Sequence, residues 1–180
     1  MYKRQVLHLN QVIQHQLPYV VCHGKETLHP NITNVSKYIH PITIKAAYEV
    51  ASNLRPEDRR ELEEGWGVEP IRHLLSAAQM TPCVYFTSPS GKAAGMAGVG
   101  RKGDIWMLCT PVIHEKPTLF LREAKRYVDS RQEPLLWNIV DKRNTVHMKL
   151  LKFLGFKFIR EVLHGPNYLP FIEFCRVRRC

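Results

Sequence analysis

Apolar residues recur along the chain with two periods, which separates predicted helices from predicted strands. Spacings of three and four residues predict amphipathic helices, whereas alternating or short continuous apolar runs predict strands. Five helices are predicted. The first covers residues 44–53, the second begins at residue 56 and ends near residue 65 or 67, and the third begins near residue 70. The fourth covers residues 116–129 and the fifth residues 144–154. The strands are predicted at residues 38–41, 83–87, 93–99, 105–110, 135–140, 156–162 and 171–177.

Residues that favour helix ends support these boundaries. Thr43 can cap the first helix, and Pro56 and Pro117 stand where a first helical turn tolerates proline. Ile44, Ala47, Val50, Ala51 and Leu54 are predicted to lie along the buried face of the first helix, and Val146, Leu150, Leu151 and Leu154 along that of the last, which Gly155 closes.

The middle of the chain predicts an antiparallel meander of three strands joined by tight turns. The later strand over residues 135–140 hardly alternates, so it is predicted to be central and buried on both faces. Three early helices, the meander, and then alternating helices and strands indicate an α+β fold with a mixed sheet.

Length and composition limit the classes of protein. A chain of 180 residues predicts one domain with a tail. That domain is placed at residues 35–180, and residues 1–34 are predicted to be an extension that is disordered or not native to the protein. The extension's four histidines lack a metal-ligand spacing, and no apolar run is long enough for a membrane span.

Cysteine usage and charge add two expectations. Five cysteines without a CxxC pair favour a reducing cytoplasm, and Cys83 and Cys109 are predicted to be buried small hydrophobic residues. The net charge of +10 would attract nucleic acid, an anionic membrane or a phosphorylated cofactor, and charge alone does not choose among them.

Two later segments carry a resemblance to a known superfamily. The block from Leu136 to Asn144 and the helix end Leu154-Gly155-Phe156 resemble the fifth strand and fourth helix of GNAT N-acyltransferases. The meander before them matches strands two to four of that superfamily in order and spacing. The resemblance covers roughly residues 36–177 and implies a GNAT-like fold, a central mixed sheet flanked by helices.

A narrower resemblance is to a tailed-phage branch of this fold, which includes a small internal virion protein of short-tailed phages. It rests on the strand Ile105–Thr110, the helix Phe120–Asp129 and the final Pro170-Phe171-x-x-Phe174. It implies a location in the host bacterial cytoplasm or in the virion, and other virion proteins as partners.

The superfamily resemblance implies acetyl-CoA as cofactor and an amine as substrate. The usual glycine-rich loop that holds the pyrophosphate is missing, since no glycine occurs between Gly103 and Gly155, and Pro117 removes one N–H donor. The residues expected to bind the cofactor are Leu108, Thr110, His114, Lys116 and Asn144. Asn144 can also be a plain helix cap.

The same resemblance asks for a base that takes the ammonium proton and an acid that protonates the leaving thiolate. The tyrosine that usually serves as acid is replaced by Leu151, and His147, one turn earlier, is its nearest substitute. Asp104 and Glu115, on either side of the strand over 105–110, are the candidate bases.

Three functions therefore stay open at this point. The first is an acyl-CoA-dependent N-acetyltransferase with a divergent active site. The second is a GNAT-fold protein without catalysis that acts inside the virion or in virion assembly. The third, least favoured because aromatic and basic residues do not interleave, is a nucleic-acid-binding accessory protein.

Overall fold

A computed structural model describes residues 36–178, so the predictions for residues 1–34 lie outside the described part of the chain. One antiparallel sheet has the order β1–β2–β3–β4 and the other the order β5–β7–β6. Their strands are β1 (Ile39–Pro41), β2 (Cys83–Thr87), β3 (Ala93–Val99), β4 (Ile105–Cys109), β5 (Leu135–Asp141), β6 (Lys157–His164) and β7 (Leu169–Val177). The α+β class predicted from the sequence is confirmed.

Helices join and cover these sheets. They are α1 (Ile44–Ser52), α2 (Pro56–Arg60), α3 (Pro70–Met80), α4 (Pro117–Asp129) and α5 (Thr145–Phe153), with a 3₁₀ turn over Pro111–His114. Thr43 caps α1 as predicted, since its hydroxyl oxygen accepts a hydrogen bond from the N–H of Ala46 at 3.1 Å. Each helix begins within a residue of its predicted start.

The core has two parts, one on each side of the first sheet. Phe86, Phe120 and Tyr127 pack edge to face in the part that α4 covers. Val50 and Leu74 belong to the part beneath α1 and α3. Cys83 and Cys109 are buried, as predicted.

Three predictions of burial are wrong. Ile44 and Val146 are 50% and 42% exposed, because each stands in the first turn of its helix and points past the core. β5 is neither central nor buried on both faces: it is an edge of the second sheet, and Trp137 and Ile139 on one of its faces are partly exposed.

A wide helical turn follows α2 directly. Residues Glu61–Trp66 form a π-helix, which ends at Gly67 in the left-handed conformation. Gly65 faces the ring of Phe171 so closely that a Cβ atom there would lie 2.5 Å from Cζ. The π-helix is thereby fixed against the second sheet, and a helical irregularity of this kind is frequent at functional sites.

Candidate functional site

The two sheets meet at the beginning of β4 and β5 and then separate. Asp104 forms an isolated parallel bridge with Trp137. The backbone N–H of Trp137 donates to the C=O of Gly103 at 3.0 Å. One residue on, the Asn138 side-chain amide donates to the C=O of Ile105 at 2.9 Å. Since β4 and β5 form no further ladder, a gap opens between their carboxyl ends.

Groups from α2 reach the far end of this gap. The N–H of Cys109 donates to the Asp58 carboxylate at 2.9 Å, and the C=O of Cys109 accepts from the N–H of Arg55 at 2.9 Å. The backbone groups of Cys109 therefore face away from β3. The backbone N–H and C=O groups of successive residues in a strand point to alternate sides. Those of Met107, two residues before Cys109, therefore face the gap as well.

Asp58 is the central acceptor of a buried polar group at this end. It is 1% exposed, and its two oxygens accept the Arg55 guanidinium at 3.0 and 2.8 Å. One of them also accepts from the Asn144 amide at 2.9 Å. A fully buried carboxylate needs such donors and a paired cation, and here it has both.

Glu61 lies one helical turn after Asp58 and is also buried. Its carboxyl accepts from the Asn144 amide at 3.2 Å. Burial, followed by repulsion from Asp58, raises the pKa of Glu61 from 4.5 to about 8, although the hydrogen bond from Asn144 acts in the opposite direction. A carboxyl in this range can hold or release a proton near neutral pH, as general bases do.

Asp141 ends β5 beside these residues and is held by Arg143. It accepts the Arg143 guanidinium at 2.7 and 3.0 Å and the Arg143 N–H at 2.8 Å. A third nitrogen of the same guanidinium donates to Glu64 at 2.7 Å. We call Asp58, Glu61, Asp141 and Asn144 the carboxylate cluster.

The start of α5 supplies the remaining polar groups. Asn144 is completely buried and caps the helix, since its side-chain oxygen accepts from the N–H of His147 at 3.2 Å. His147 is partly exposed. Desolvation lowers the pKa of His147, and Arg55 adds to this effect, while Asp58 opposes it. The capping role predicted for Asn144 is confirmed, and its cofactor-binding role stays a prediction.

The residues predicted to hold phosphate lie after β4. Lys116 and His114 are exposed, and Lys116 precedes α4 without a side chain capping that helix. Pro117 has no N–H, so the N–H groups of Thr118 and Leu119 are the donors at this helix end. An uncapped helix beginning beside two basic side chains can accept an anion without a glycine loop.

The two β4 residues predicted to contact the cofactor are both buried. Leu108 packs into the core beneath α1 and α3. Thr110 donates its hydroxyl to the C=O of Ala93 at 2.7 Å. Their side chains thus serve the first sheet, and a cofactor contact by either residue stays a prediction.

The three predicted catalytic residues are not brought together. Asp104 lies at the closed end of the gap, with its carboxylate against Gly100, where an added Cβ would be 2.2 Å from an oxygen. Glu115 accepts from Lys92 at 3.3 Å and from Ser90 at 3.2 Å. Desolvation raises the pKa of Glu115, but these hydrogen bonds outweigh it and leave the pKa below its usual range. His147 alone lies beside the carboxylate cluster.

Sequence reasoning missed Arg55, Asp58 and Glu61 as site residues. The segment Arg55-Pro56-Glu57-Asp58 reads as an ordinary helix start with acidic residues at its positive end. The available signal was the three-residue spacing of Arg55, Asp58 and Glu61, which places all three on one helix face near apolar Leu54 and Leu62.

Residues 36–178 contain neither a metal site nor a membrane-spanning helix. No group of three or more His, Cys, Asp or Glu side chains there is arranged to bind a metal ion. No helix within the same residues has the length and apolar character needed to cross a membrane.

Comparison with known proteins identifies the fold. No protein-family model and no curated protein sequence matches the chain. Solved structures do match: a GNAT-family acetyltransferase from Streptococcus pneumoniae has 18% sequence identity and a TM-score of 0.52, over 78% of this chain and 98% of that one. The chain therefore has the fold of GNAT acetyltransferases.

Two further structures of this fold were solved with ligands. An acetyltransferase from Salmonella typhimurium, with its cofactor acetyl-CoA, has 15% identity and a TM-score of 0.57 over 79% of this chain and 95% of its own. Spermidine N-acetyltransferase from Vibrio cholerae, in complex with CoA and spermine, has 10% identity and a TM-score of 0.56 over 77% and 94%. Identities this low establish the fold alone.

Proposed function

We propose that the protein is an N-acetyltransferase that uses acetyl-CoA and a cationic amine, with Glu61 as the proton acceptor. The observation that carries this proposal is the buried Glu61 carboxyl, with its pKa raised to about 8, at the end where β4 and β5 separate. The GNAT fold supplies the class of reaction, and the carboxylate cluster supplies a site for its proton transfer.

The residues present fit acetyl-CoA at two places. The uncapped start of α4, with Lys116 and His114 beside it, would hold the pyrophosphate. The N–H and C=O of Met107, which face the gap, would pair with the amide groups of the pantetheine arm. When bound, acetyl-CoA supplies an activated acyl group as a thioester.

The carboxylate cluster favours an amine that arrives with a positive charge. Asp58 and Asp141 are both neutralised by arginines, whereas Glu61 is hydrogen-bonded by the neutral Asn144 amide. An ammonium group beside Glu61 would favour the ionised carboxylate, which then accepts the ammonium proton and leaves a nucleophilic amine. Polyamines and lysine side chains are the first substrates to test.

His147 is the best-placed group for the second proton transfer. It stands in the first turn of α5, where its N–H is fixed by Asn144. Because the pKa of His147 is lowered, its imidazole is neutral at the pH where Glu61 is ionised, so it would protonate the leaving thiolate only after taking up a proton that the substrate ammonium group has released. Asn144 is then a positioning residue for both Glu61 and His147.

The test is acetyl transfer to spermidine, spermine and a lysine peptide, followed by thiol release. We expect Glu61→Gln to lower kcat about 100-fold or more and to leave acetyl-CoA affinity unchanged, since a removed general base costs rate rather than cofactor binding. We also expect the pH dependence of kcat/KM to lose its rise near pH 8 in this variant.

The matched control is Glu63→Gln, which changes an exposed carboxylate two residues away that pairs with Arg59. Wild-type kinetics in Glu63→Gln together with loss of activity in Glu61→Gln would support the proposal. Undiminished kcat in Glu61→Gln would exclude Glu61 as the base.

A second candidate is a non-catalytic GNAT-fold protein of the virion. Two features favour this candidate. The backbone N–H and C=O of Cys109, at the end of β4, are already hydrogen-bonded to Asp58 and Arg55, and the glycine loop is absent before α4. The resemblance to the tailed-phage branch supports it as well. Calorimetry decides: saturable micromolar acetyl-CoA binding favours the enzyme, and no binding at millimolar cofactor favours the virion protein.

A further inference from the structure

A groove lies at the opposite end of β5 from the carboxylate cluster. It is formed by the loop between α4 and β5, the beginning of β6 and the end of β7, and has a volume of about 620 Å³. Its charged lining residues are Asp129, Arg131, Glu133, Lys157, Arg176 and Arg178, and we call it the arginine groove. Leu136 in this groove and Asp141 in the cluster are separated by five strand residues, or roughly 17 Å.

Arg131 is the buried cation of the groove. It is 7% exposed, and its guanidinium lies over the Tyr127 ring, 5.2 Å from the centroid. It forms a long ion pair with Glu133, whose carboxylate oxygen lies 3.9 Å from Nε, too far for a hydrogen bond. Among the described residues this buried Nε has no hydrogen-bond partner, so a donor is left for a ligand.

Arg176 contributes a second donor in the same condition. One terminal nitrogen of its guanidinium donates to Asp129 at 2.6 Å. The other is buried and has no hydrogen-bond partner within the described part of the chain. Two arginines that line one groove thus each have an N–H group without a hydrogen-bond partner among the described residues, and guanidinium groups match carboxylate and phosphate oxygens in geometry.

The net charge of the groove and one unused acceptor define the ligand further. Four cationic side chains face two carboxylates, so the described lining carries an excess of positive charge. The Glu133 oxygen that lies 3.9 Å from Arg131 Nε is itself buried without a hydrogen-bond partner among residues 36–178, and it would accept from a hydroxyl group of a ligand that also contacts Arg131. The volume is within the range of small-molecule sites.

We propose that the arginine groove binds a small hydroxylated molecule through a phosphate or carboxylate group, which Arg131 and Arg176 hold. Lys157 and Arg178 add positive charge at the rim, and Glu133 accepts from a hydroxyl of the ligand. This site is separate from the acetyl-transfer site proposed at the other end of β5.

Cys175 gives the groove a local reporter. It lines the groove, is partly exposed and has a free thiol. The experiment measures iodoacetamide labelling of Cys175 by peptide mass spectrometry, with the buried Cys83 as internal reference. The probes are glycerol 3-phosphate and glycerate, which separate phosphate from carboxylate recognition, each against sodium chloride at equal ionic strength.

We expect one probe to slow labelling of Cys175 saturably, with a half-effect concentration that agrees with the Kd from calorimetry. Arg176→Gln should raise that Kd about tenfold, as expected for the loss of one charge-assisted hydrogen bond. Lys157→Gln changes an exposed side chain and should weaken binding with the fold intact, so the test does not depend on one variant. Arg101→Gln, in the exposed turn before β4, should bind as wild type does.

Two results would overturn the proposal. One is labelling of Cys175 that neither probe slows more than sodium chloride does. The other is binding that Lys116→Gln abolishes and Arg176→Gln leaves intact, because the probe would then occupy the start of α4 instead of the arginine groove.

Discussion

Replacing Glu61 with glutamine should change how stability depends on pH, whether or not the protein is an enzyme. The folded protein raises the pKa of this carboxyl from 4.5 to about 8, mainly because burial disfavours its charged form. Between these two values the folded protein holds a proton that the unfolded chain has released. The free energy of unfolding of the wild type therefore falls as pH rises through this window.

The size of the effect follows from linkage. Each pH unit within the window removes roughly 1 kcal/mol of stability, so the total between pH 4.5 and pH 8 is a few kcal/mol. Glutamine resembles the protonated carboxyl in shape and can still accept from Asn144. Titrating groups that do not interact with Glu61 are shared by the two proteins and cancel in the difference between them, whereas Asp58 and Asp141, which repel the Glu61 carboxylate, contribute to that difference.

The assay is urea unfolding of wild type and Glu61→Gln at intervals from pH 5 to pH 8.5. We expect similar free energies of unfolding near pH 5 and a variant that is more stable by about 2–4 kcal/mol near pH 8. Glu63→Gln, which alters an exposed carboxylate, should run parallel to the wild type. A difference between Glu61→Gln and wild type that stays constant over this range would refute a raised pKa at Glu61.

Two further stability predictions follow from the same region. Asn144→Ala should cost about 2–4 kcal/mol in urea unfolding, because it removes a helix cap and the amide donor of two buried carboxylates; Asn144→Ser, which can still cap, should recover about 1 kcal/mol. Equal losses of stability in Asn144→Ala and Asn144→Ser would contradict a separate contribution from the helix cap. Gly65→Ala should lower the free energy of unfolding by about 1–3 kcal/mol, because its Cβ would lie 2.5 Å from the ring of Phe171. Adding Phe171→Leu should recover part of that loss. Losses of stability that simply add in the double variant would contradict the contact.

The strands and helices were largely predictable because each depends on a local pattern. The meander β2–β3–β4 was predicted within a residue at each end, since tight turns such as Ser88–Gly91 mark its limits. Exposure was harder to predict. Ile44 and Val146 fit the apolar spacing of their helices, yet which end of a helix extends past the core is decided by the rest of the fold.

The spacing of Asp58 and Glu61 is a local pattern, but the contacts that bury the carboxylate cluster were not predictable from it, because they join distant parts of the chain. Asp58 bonds to Cys109, 51 residues away, and to Asn144, 86 residues away. In sequence, Asp58 is an acidic residue in a first helical turn, which ordinarily lies at the surface. His147 was recognised because it lies one turn from a position that the superfamily resemblance marks.

The burial of Glu61, at the start of the π-helix that follows α2, bears on both proposed functions. A buried Glu61 that lowers stability above its unfolded pKa is costly to keep, and glutamine would remove that cost at once. An acetyltransferase would need the carboxyl in spite of this cost, because the same burial that destabilises the protein gives the base its working pKa. A virion protein would have no such need, so Glu61→Gln should then stabilise the protein without any loss of function. Measuring stability and acetyl transfer on wild type and Glu61→Gln therefore separates the two functions. A gain in stability with a loss of kcat in the variant identifies the enzyme. A gain in stability with no acetyl transfer by either wild type or variant favours the non-catalytic virion protein.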